Sequence, residues 1–218
     1  MTLAERLRLY LVTDHGLAGG RDLATVVAAA IRGGVTAVQL RVKGADGRPM
    51  WEEARRLAAL CRERGVLFIV NDRLDVALAS GADGVHLGQT DLPVPEARRI
   101  ARQVAGEGFV IGLSVDTEEQ ARAARAAGAD YVGVGPVRAT ATKPDAAAPL
   151  GVEGTARVAR AFRPGPAVAI GGVDAENARE LIAAGLAGLA VVSAIMRAGD
   201  PERAAAEIRR RAFEGDAS

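Results

Sequence analysis

Two aspartates follow successive short apolar runs and could share one divalent cation. The first run covers residues 67–70 and leads to Asp72, and the second covers residues 84–87 and leads to Asp91. If the two runs are neighbouring parallel strands, their carboxyl ends lie about 5 Å apart. Carboxylate oxygens suit Mg2+, which usually keeps several waters and is completed by substrate phosphate. The alternative is that Asp72 caps the next helix and Asp91 opens a turn before Pro93.

The use of lysine also indicates phosphate chemistry. Only two of the 28 cationic residues are lysines, Lys43 and Lys143, and each follows a predicted strand end. A compact ammonium is a good point charge against phosphate, whereas arginine favours forked, planar contacts. We interpret the two lysines as candidate phosphate ligands.

Composition restricts the classes of protein to which the chain can belong. With 218 residues, 49% hydrophobic and 25% charged, it has the composition of a globule with a sizeable core. A net charge of +1 implies no broad attraction to nucleic acid or acidic membranes, so we expect neither as a partner. The single cysteine, Cys61, excludes an internal disulfide and lies in a helical pattern. The charged N-terminal segment does not resemble a signal peptide, and we expect a cytoplasmic protein.

Apolar, β-rich runs alternate with helical patterns eight times along the chain. The predicted strands cover residues 9–13, 37–40, 67–70, 84–87, 110–113, 131–134, 167–170 and 188–192. The predicted helices cover residues 23–31, 50–64, 75–80, 93–105, 118–127, 152–162, 175–184 and 201–211. Strands that alternate with helices imply parallel pairing and right-handed crossovers.

An internal repeat supports this count. Gly34, Gly81, Gly128 and Gly185 each precede an even-numbered strand, at separations of 47, 47 and 57 residues. A unit of two strand–helix pairs therefore recurs four times, with the extra residues near a polar loop after the sixth strand. We predict one (β/α)8 TIM barrel over residues 1–218, with residues 1–8 as an N-terminal extension and 212–218 as a C-terminal tail.

An open doubly wound sheet is the competing architecture. A dinucleotide-binding sheet would place G-x-G-x-x-G after the first strand, but Gly16, Gly19 and Gly20 have the wrong spacing. We therefore favour the barrel, which places its chemistry at the carboxyl ends of the strands.

The predicted strand ends carry mostly polar residues or glycine. They are Thr13 to His15, Gln39 to Lys43, Asn71 to Arg73, Gln89 to Asp91, Ser114, Gly135 and Pro136 with Thr140, Thr142 and Lys143, Gly171 and Gly172, and Ser193. This set contains no Ser-His-Asp triad, reactive cysteine or histidine cluster for zinc. It fits anionic, phosphorylated ligands bound through a hard metal. Gly171, Gly172 and Ser193 match the usual phosphate site of such barrels.

His86 lies within the fourth predicted strand. It could line the barrel interior beneath the site, although we favour a buried, hydrogen-bonded structural histidine.

In their order along the chain, these segments resemble the thiamine phosphate synthase family. The matching segments are YLVTD at Tyr10, QLRVK at Gln39, NDRLDVALASGADGVHLGQTD at Asn71, IGLS at Ile111, GADYVGVGPV at Gly128, TATK at Thr140, IGGV at Ile170 and VVSAI at Val191. The resemblance implies a (β/α)8 barrel. It also implies a magnesium-dependent transferase that joins 4-amino-2-methyl-5-pyrimidinylmethyl diphosphate to 4-methyl-5-(2-phosphoethyl)thiazole, or its carboxylated form, and makes thiamine phosphate and diphosphate.

The resemblance also implies roles for individual residues. Gln39 should contact the pyrimidine. The residues expected to hold the diphosphate are Arg41, Lys43, Asn71, Ser114 and Lys143. The residues expected to hold the thiazole phosphate are Thr140, Thr142, Gly171, Gly172, Val192 and Ser193. Asp72 and Asp91 should bind Mg2+.

The chain departs from the family pattern at two positions. Arg138 stands where the family usually has an aromatic residue, and Val42 where it often has an acid.

Two alternative functions make different demands on the sequence. A related thiazole tautomerase would need a histidine after the sixth strand, where this chain has Gly135 and Pro136. A non-catalytic barrel that binds phosphorylated ligands would be indicated by loss of Asp72, Asp91 or Lys143, and all three are present.

Overall fold

Eight parallel strands close into a barrel in the computed structural model, which describes residues 1–42, 44, 46–140 and 148–214. The strands are β1 (Leu9–Val12), β2 (Ala37–Leu40), β3 (Leu67–Asn71), β4 (Gly84–Leu87), β5 (Val110–Val115), β6 (Tyr131–Val134), β7 (Ala167–Ala169) and β8 (Gly188–Val191). Each strand pairs with the next along the chain, and β8 pairs with β1 through Tyr10 and Ala190. The prediction of a single (β/α)8 TIM barrel is confirmed.

Helices surround the barrel. They are α1 (Leu3–Arg6), α2 (Leu23–Arg32), α3 (Gly47–Glu63), α4 (Leu74–Ser80), α5 (Val94–Ala105), α6 (Glu118–Ala126), α7 (Gly151–Phe162), α8 (Ala178–Ala183), α9 (Ser193–Met196) and α10 (Pro201–Phe213). A short 3-10 helix, His15–Leu17, follows β1. The eight predicted helices are present with shifted ends, and α1, α9 and the 3-10 helix are additional.

Two differences from the predicted elements affect the site. Strand β5 continues to Val115 because Ser114 and Val115 pair with β6. Helix α8 begins three residues later than predicted. The Asp174 side chain accepts hydrogen bonds from the backbone N–H groups of Glu176 and Asn177, and such local bonds compete with helix formation.

The apolar core has two layers. The larger layer lies between the outward faces of the strands and the helices, and includes Leu11, Val38 and Leu57. The smaller layer fills the barrel interior, and includes Tyr10, Ile69 and Tyr131. Because side chains alternate across a strand, β1, β3 and β6 for example contribute to both layers. The inner layer is the floor beneath the carboxyl ends of the strands.

Candidate active site

A cavity of about 490 Å³ opens at the carboxyl ends of the strands. This volume lies within the range of small-molecule sites. Its polar side chains come from seven of the eight strands or from the loops and helix starts that follow them. They are Tyr10, Gln39, Arg41, Asn71, Asp72, His86, Gln89, Thr90, Asp91, Ser114, Asp116, Gln120, Thr140 and Ser193.

Every described residue among the predicted site residues lines this cavity. These are Gln39, Arg41, Asn71, Asp72, Asp91, Ser114, Thr140, Gly171, Gly172, Val192 and Ser193. Lys43, Thr142 and Lys143 lie outside the described residues. The roles assigned to individual residues stay predictions.

Asp72 and Asp91 follow adjacent strands. Strand β3 pairs with β4 through Asn71 and His86, and the backbone N–H of Asp72 extends this pairing by donating to the His86 carbonyl at 2.8 Å. Asp72 has a φ of 64°, a left-handed conformation that aspartate tolerates better than most residues. The Asp91 carboxylate accepts a hydrogen bond from the Gly88 N–H at 2.6 Å. The fold thus brings both carboxylates to one side of the cavity mouth.

The structural alternatives for the two aspartates have different outcomes. Helix α4 has Arg73 at its N-cap position and no side-chain capping bond, so Asp72 does not cap it. Asp91 does take part in a turn, but it closes the turn from Gly88 to Asp91 after β4 rather than opening one before Pro93, since its side chain and its backbone N–H both bond to Gly88. The side-chain bond uses Oδ2, so turn formation and metal binding are compatible for this carboxylate.

The described side chains of the cavity carry more negative than positive charge. Arg41 is the cation among them, against Asp72, Asp91 and Asp116. Arg41 is also partly neutralised, since its guanidinium lies 3.6 Å from Asp14. A diphosphate would be repelled by this balance unless cations accompanied it. The excess of carboxylate therefore fits a divalent metal better than a bare anion site.

The donor set is compatible with magnesium. Within the described part of the chain, no group of three or more His, Cys, Asp or Glu side chains could enclose a metal. Two carboxylates on neighbouring strands match the way proteins usually hold Mg2+, with water and substrate phosphate as the other ligands.

Gly171 and Gly172, after β7, lie under the loop that follows β6. Their φ values are 85° and 70°, and an added Cβ would lie 2.6 Å from a Pro136 atom or an Arg138 atom. The N–H groups of Val137 and Arg138 both donate to the Gly171 carbonyl at 3.0 Å. Packing against the loop after β6 is therefore enough to require glycine at both positions, whether or not they bind a ligand.

Arg138 replaces the aromatic residue of the family pattern with an exposed ion pair. Its guanidinium lies 3.5 Å from Asp174 and 3.6 Å from Glu176, in the segment between β7 and α8. The side chain thus links two loops at the rim of the cavity. Exposed pairs of this kind are worth up to about 1 kcal/mol.

Arg21 holds the short helix that Ser193 begins. Its guanidinium donates to the Ala18 carbonyl at 2.8 Å, to the Ala198 carbonyl at 2.6 Å and to the Met196 carbonyl. Met196 and Ala198 lie at and just after the end of α9. Arg21 therefore fixes α9 from its C-terminal end, opposite the cavity. No sequence pattern indicated this contact.

Five polar side chains are connected by hydrogen bonds in the barrel floor. Tyr10 bonds to Gln39 at 2.8 Å and to Tyr131 at 2.9 Å. His86 bonds to Tyr131 through Nδ1 and to Ser114 through Nε2, both at 2.9 Å. We call these five residues the interior network.

Sequence reasoning missed both tyrosines of the interior network and predicted the burial of its histidine. His86 is 8% exposed and hydrogen-bonded, and it also lines the cavity, so both interpretations offered for it hold. The alternation of side chains along a strand could have identified Tyr10 and Tyr131 as interior residues. Tyr10 lies two residues before Val12, and Tyr131 lies two residues before Gly133, and both of these later positions line the cavity.

No helix in the described residues has the length and apolar composition required to cross a bilayer.

Three comparisons relate the chain to known proteins. A family model described as thiamine monophosphate synthase matches residues 9–195. Thiamine-phosphate synthase from Albidiferax ferrireducens is 51% identical over 205 residues, which cover 94% of this chain and 91% of that protein. The Chloroflexus aurantiacus protein of the same name is 50% identical over 93% of this chain and 91% of its own. The solved structure of thiamine phosphate pyrophosphorylase from Pyrococcus furiosus is 41% identical, with a TM-score of 0.88 and 98% of each chain covered.

Proposed function

The chain belongs to the thiamine monophosphate synthase family, and we infer from this that it is a transferase, a thiamine phosphate synthase. The enzyme joins 4-amino-2-methyl-5-pyrimidinylmethyl diphosphate to a 4-methyl-5-(2-phosphoethyl)thiazole and releases diphosphate. One observation carries the assignment to this site: all described residues expected to contact either substrate or the metal line the same cavity.

The pyrimidine diphosphate occupies the side of the cavity formed by β2 to β5. Gln39 is 4% exposed, and its amide nitrogen is bound to Tyr10, which leaves Oε1 available to accept a hydrogen bond from the pyrimidine amino group. Arg41, Asn71 and Ser114 are the described residues that contact the diphosphate. Lys43 and Lys143 add the positive charge that the described residues lack.

Asp72 and Asp91 hold Mg2+ together with the diphosphate. When bound, the metal stabilises the negative charge that develops on the leaving group. The excess of carboxylate among the described cavity side chains supports this proposal, because a divalent cation offsets it and leaves the two lysines to balance the charge of the diphosphate.

The thiazole phosphate occupies the side formed by β6 to β8. Thr140, Thr142 and Ser193 offer hydroxyl donors, and Gly171, Gly172 and Val192 offer backbone. Neither Gly171 nor Gly172 donates its N–H to another described residue, which leaves both amides available to an anion.

The residues of the site stabilise charge rather than transfer protons. Loss of diphosphate leaves a pyrimidinylmethyl carbocation, which the ring nitrogen of the thiazole attacks. That nitrogen carries no proton, so the coupling step requires no general base. This agrees with a cavity whose described lining includes the Arg41 guanidinium and the hydroxyls of Ser114, Thr140 and Ser193.

The experiment is a coupled assay of the purified chain with both substrates and a range of Mg2+ concentrations. We expect thiamine phosphate and diphosphate in equal amounts, and loss of both on addition of EDTA. Asp72→Ala and Asp91→Ala should each lower turnover about 100-fold or more. Asp75→Asn is the matched control, since Asp75 is exposed, lies outside the cavity lining and forms its ion pair within the described residues with Arg73. Full magnesium-dependent turnover in either alanine variant would refute the metal assignment.

A further inference from the structure

The interior network connects the two ends of the pyrimidine diphosphate site. Gln39, at one end, faces the pyrimidine in the proposed function, and Ser114, at the other end, faces the diphosphate. Tyr10, Tyr131 and His86 join them, and the two tyrosines are fully buried. None of these three residues has a part in the chemistry described above.

The direction of hydrogen-bond donation in this network is fixed by the number of hydrogens. The Gln39 amide nitrogen can only donate, so the Tyr10 oxygen accepts from it. The Tyr10 hydrogen is then satisfied only by donating to Tyr131. Burial raises the pKa of both Tyr10 and Tyr131 well above the ordinary value, so each keeps its one hydrogen.

The same count continues through the histidine. Tyr131 accepts from Tyr10, so its own hydrogen goes to His86 Nδ1. An imidazole nitrogen that accepts carries no hydrogen, and the neutral ring then has its hydrogen on Nε2. That hydrogen is donated to Ser114 Oγ at 2.9 Å. The Ser114 hydroxyl hydrogen is therefore not used by the histidine.

We propose that the interior network donates in one direction, from Gln39 to Ser114, and so presents the Ser114 hydroxyl as a hydrogen-bond donor to the diphosphate. His86 and Tyr131 are positioning residues in this arrangement, since they act through Ser114. The opposite direction would require a reversed Gln39 amide, and would leave Ser114 with lone pairs facing an anion. The proposal rests on the proposed function for the identity of the ligand.

The barrel wall provides the space for this network. A Cβ at Gly112 would lie 2.5 Å from His86 Nδ1 and 2.2 Å from Tyr131 Cζ, and a Cβ at Gly133 would lie 3.2 Å from His86 Cε1. The two glycines allow the histidine and tyrosine rings to meet at 5.3 Å between centroids. Both backbone positions are thus adapted to the network.

The first test reads the histidine tautomer directly in the ligand-free protein. Nitrogen-15 NMR distinguishes a protonated from an unprotonated ring nitrogen, and the chain has only two histidines. His15→Asn assigns the signals, since His15 is exposed and outside the cavity. We expect His86 as the Nε2–H tautomer. A hydrogen on Nδ1 would overturn the proposal.

The second test is a double-mutant cycle on the binding of inorganic diphosphate with Mg2+, measured by calorimetry. Ser114→Ala should weaken binding about tenfold, the usual effect of losing a hydrogen bond to a charged group. Tyr131→Phe should weaken it several-fold. In the double variant, Tyr131→Phe should cause no further loss of diphosphate affinity beyond that of Ser114→Ala, because Tyr131 acts on the ligand only through Ser114. The proposal would be overturned if the double variant lost affinity by the product of the two single losses. It would also be overturned if Tyr131→Phe bound diphosphate as tightly as the wild type.

Two controls separate this proposal from a structural effect and from the proposed function. Ser80→Ala removes another buried hydroxyl, one that donates to the Ala77 carbonyl, and should leave diphosphate binding and the His86 signals unchanged. Neither test requires turnover. An enzyme that makes thiamine phosphate but shows the Nδ1–H tautomer refutes the network alone. A protein with the expected tautomer and coupling but no product refutes the proposed activity alone.

Discussion

Gly112→Ala should be the most informative single change in the barrel wall. Gly112 lies in β5 and pairs with Tyr131 of β6. An added Cβ would lie 2.2 Å from Tyr131 Cζ, 2.4 Å from Tyr131 Cε1 and 2.5 Å from His86 Nδ1. An ordinary contact is about 3.4 Å or longer, so the tyrosine ring must move by about 1.2 Å. Tyr131 is fully buried.

The expected cost has two parts. Overpacking of a dense core costs about 1–3 kcal/mol in the free energy of unfolding. For a domain of this size, each kcal/mol lowers Tm by about 2–4 °C. Displacement of the tyrosine also separates its hydroxyl from Tyr10 and His86, which now lie 2.9 Å from it. Diphosphate binding should therefore weaken several-fold, as in Tyr131→Phe.

The assay is thermal or urea unfolding followed by circular dichroism, combined with calorimetric titration of diphosphate and Mg2+. Gly108→Ala is the matched control, because an added Cβ at Gly108 meets nothing within 4 Å. That variant should unfold like the wild type or be stabilised by up to about 1 kcal/mol. If Gly112→Ala unfolds at the wild-type midpoint and binds diphosphate normally, the packing argument is wrong.

Three further predictions concern separate regions. Lys143→Arg should lower turnover about tenfold or more with the fold unchanged, because a fork does not replace a point charge; wild-type kinetics would contradict the assignment of this lysine. Arg21→Met should raise KM for the thiazole phosphate about tenfold with a smaller effect on kcat, because the carbonyls at the end of α9 lose their donor; an unchanged KM would show that α9 needs no such support. Cys61 is fully buried and burial raises its pKa to about 12, so at pH 8 it should react with a thiol reagent only after unfolding; rapid labelling of the native protein would contradict this.

Local sequence patterns were enough to predict the fold and the position of the candidate site. The alternation of strands and helices and the repeat of the glycines at 34, 81, 128 and 185 predicted the closed barrel. Knowledge of the barrel then located the candidate site, since its residues directly follow the strands. Asp72 and Asp91 were identified in this way, because adjacency of consecutive parallel strands follows from the repeat itself.

Element boundaries were less well determined where side chains compete with the backbone. The helical pattern over residues 175–184 takes no account of the bonds that Asp174 makes to the N–H groups of Glu176 and Asn177. These bonds delay α8 to Ala178. The loop positions of Lys43, Thr142 and Lys143 lie outside the described residues, so their assignment still rests on the sequence alone.

The sequence alone determined the type of fold and which polar residues stand at the strand ends, because both depend on periodicities of a few residues. Only the tertiary structure placed Tyr10 against Tyr131, 121 residues away, and Arg21 against the Met196 carbonyl, 175 residues away. Both contacts depend on the closure of the barrel. Closure sets the inward side chains of β1 and β6 opposite one another, and the pairing of β1 with β8 brings the segment after β1 beside the helix after β8. Local spacing carries no signal for such a meeting.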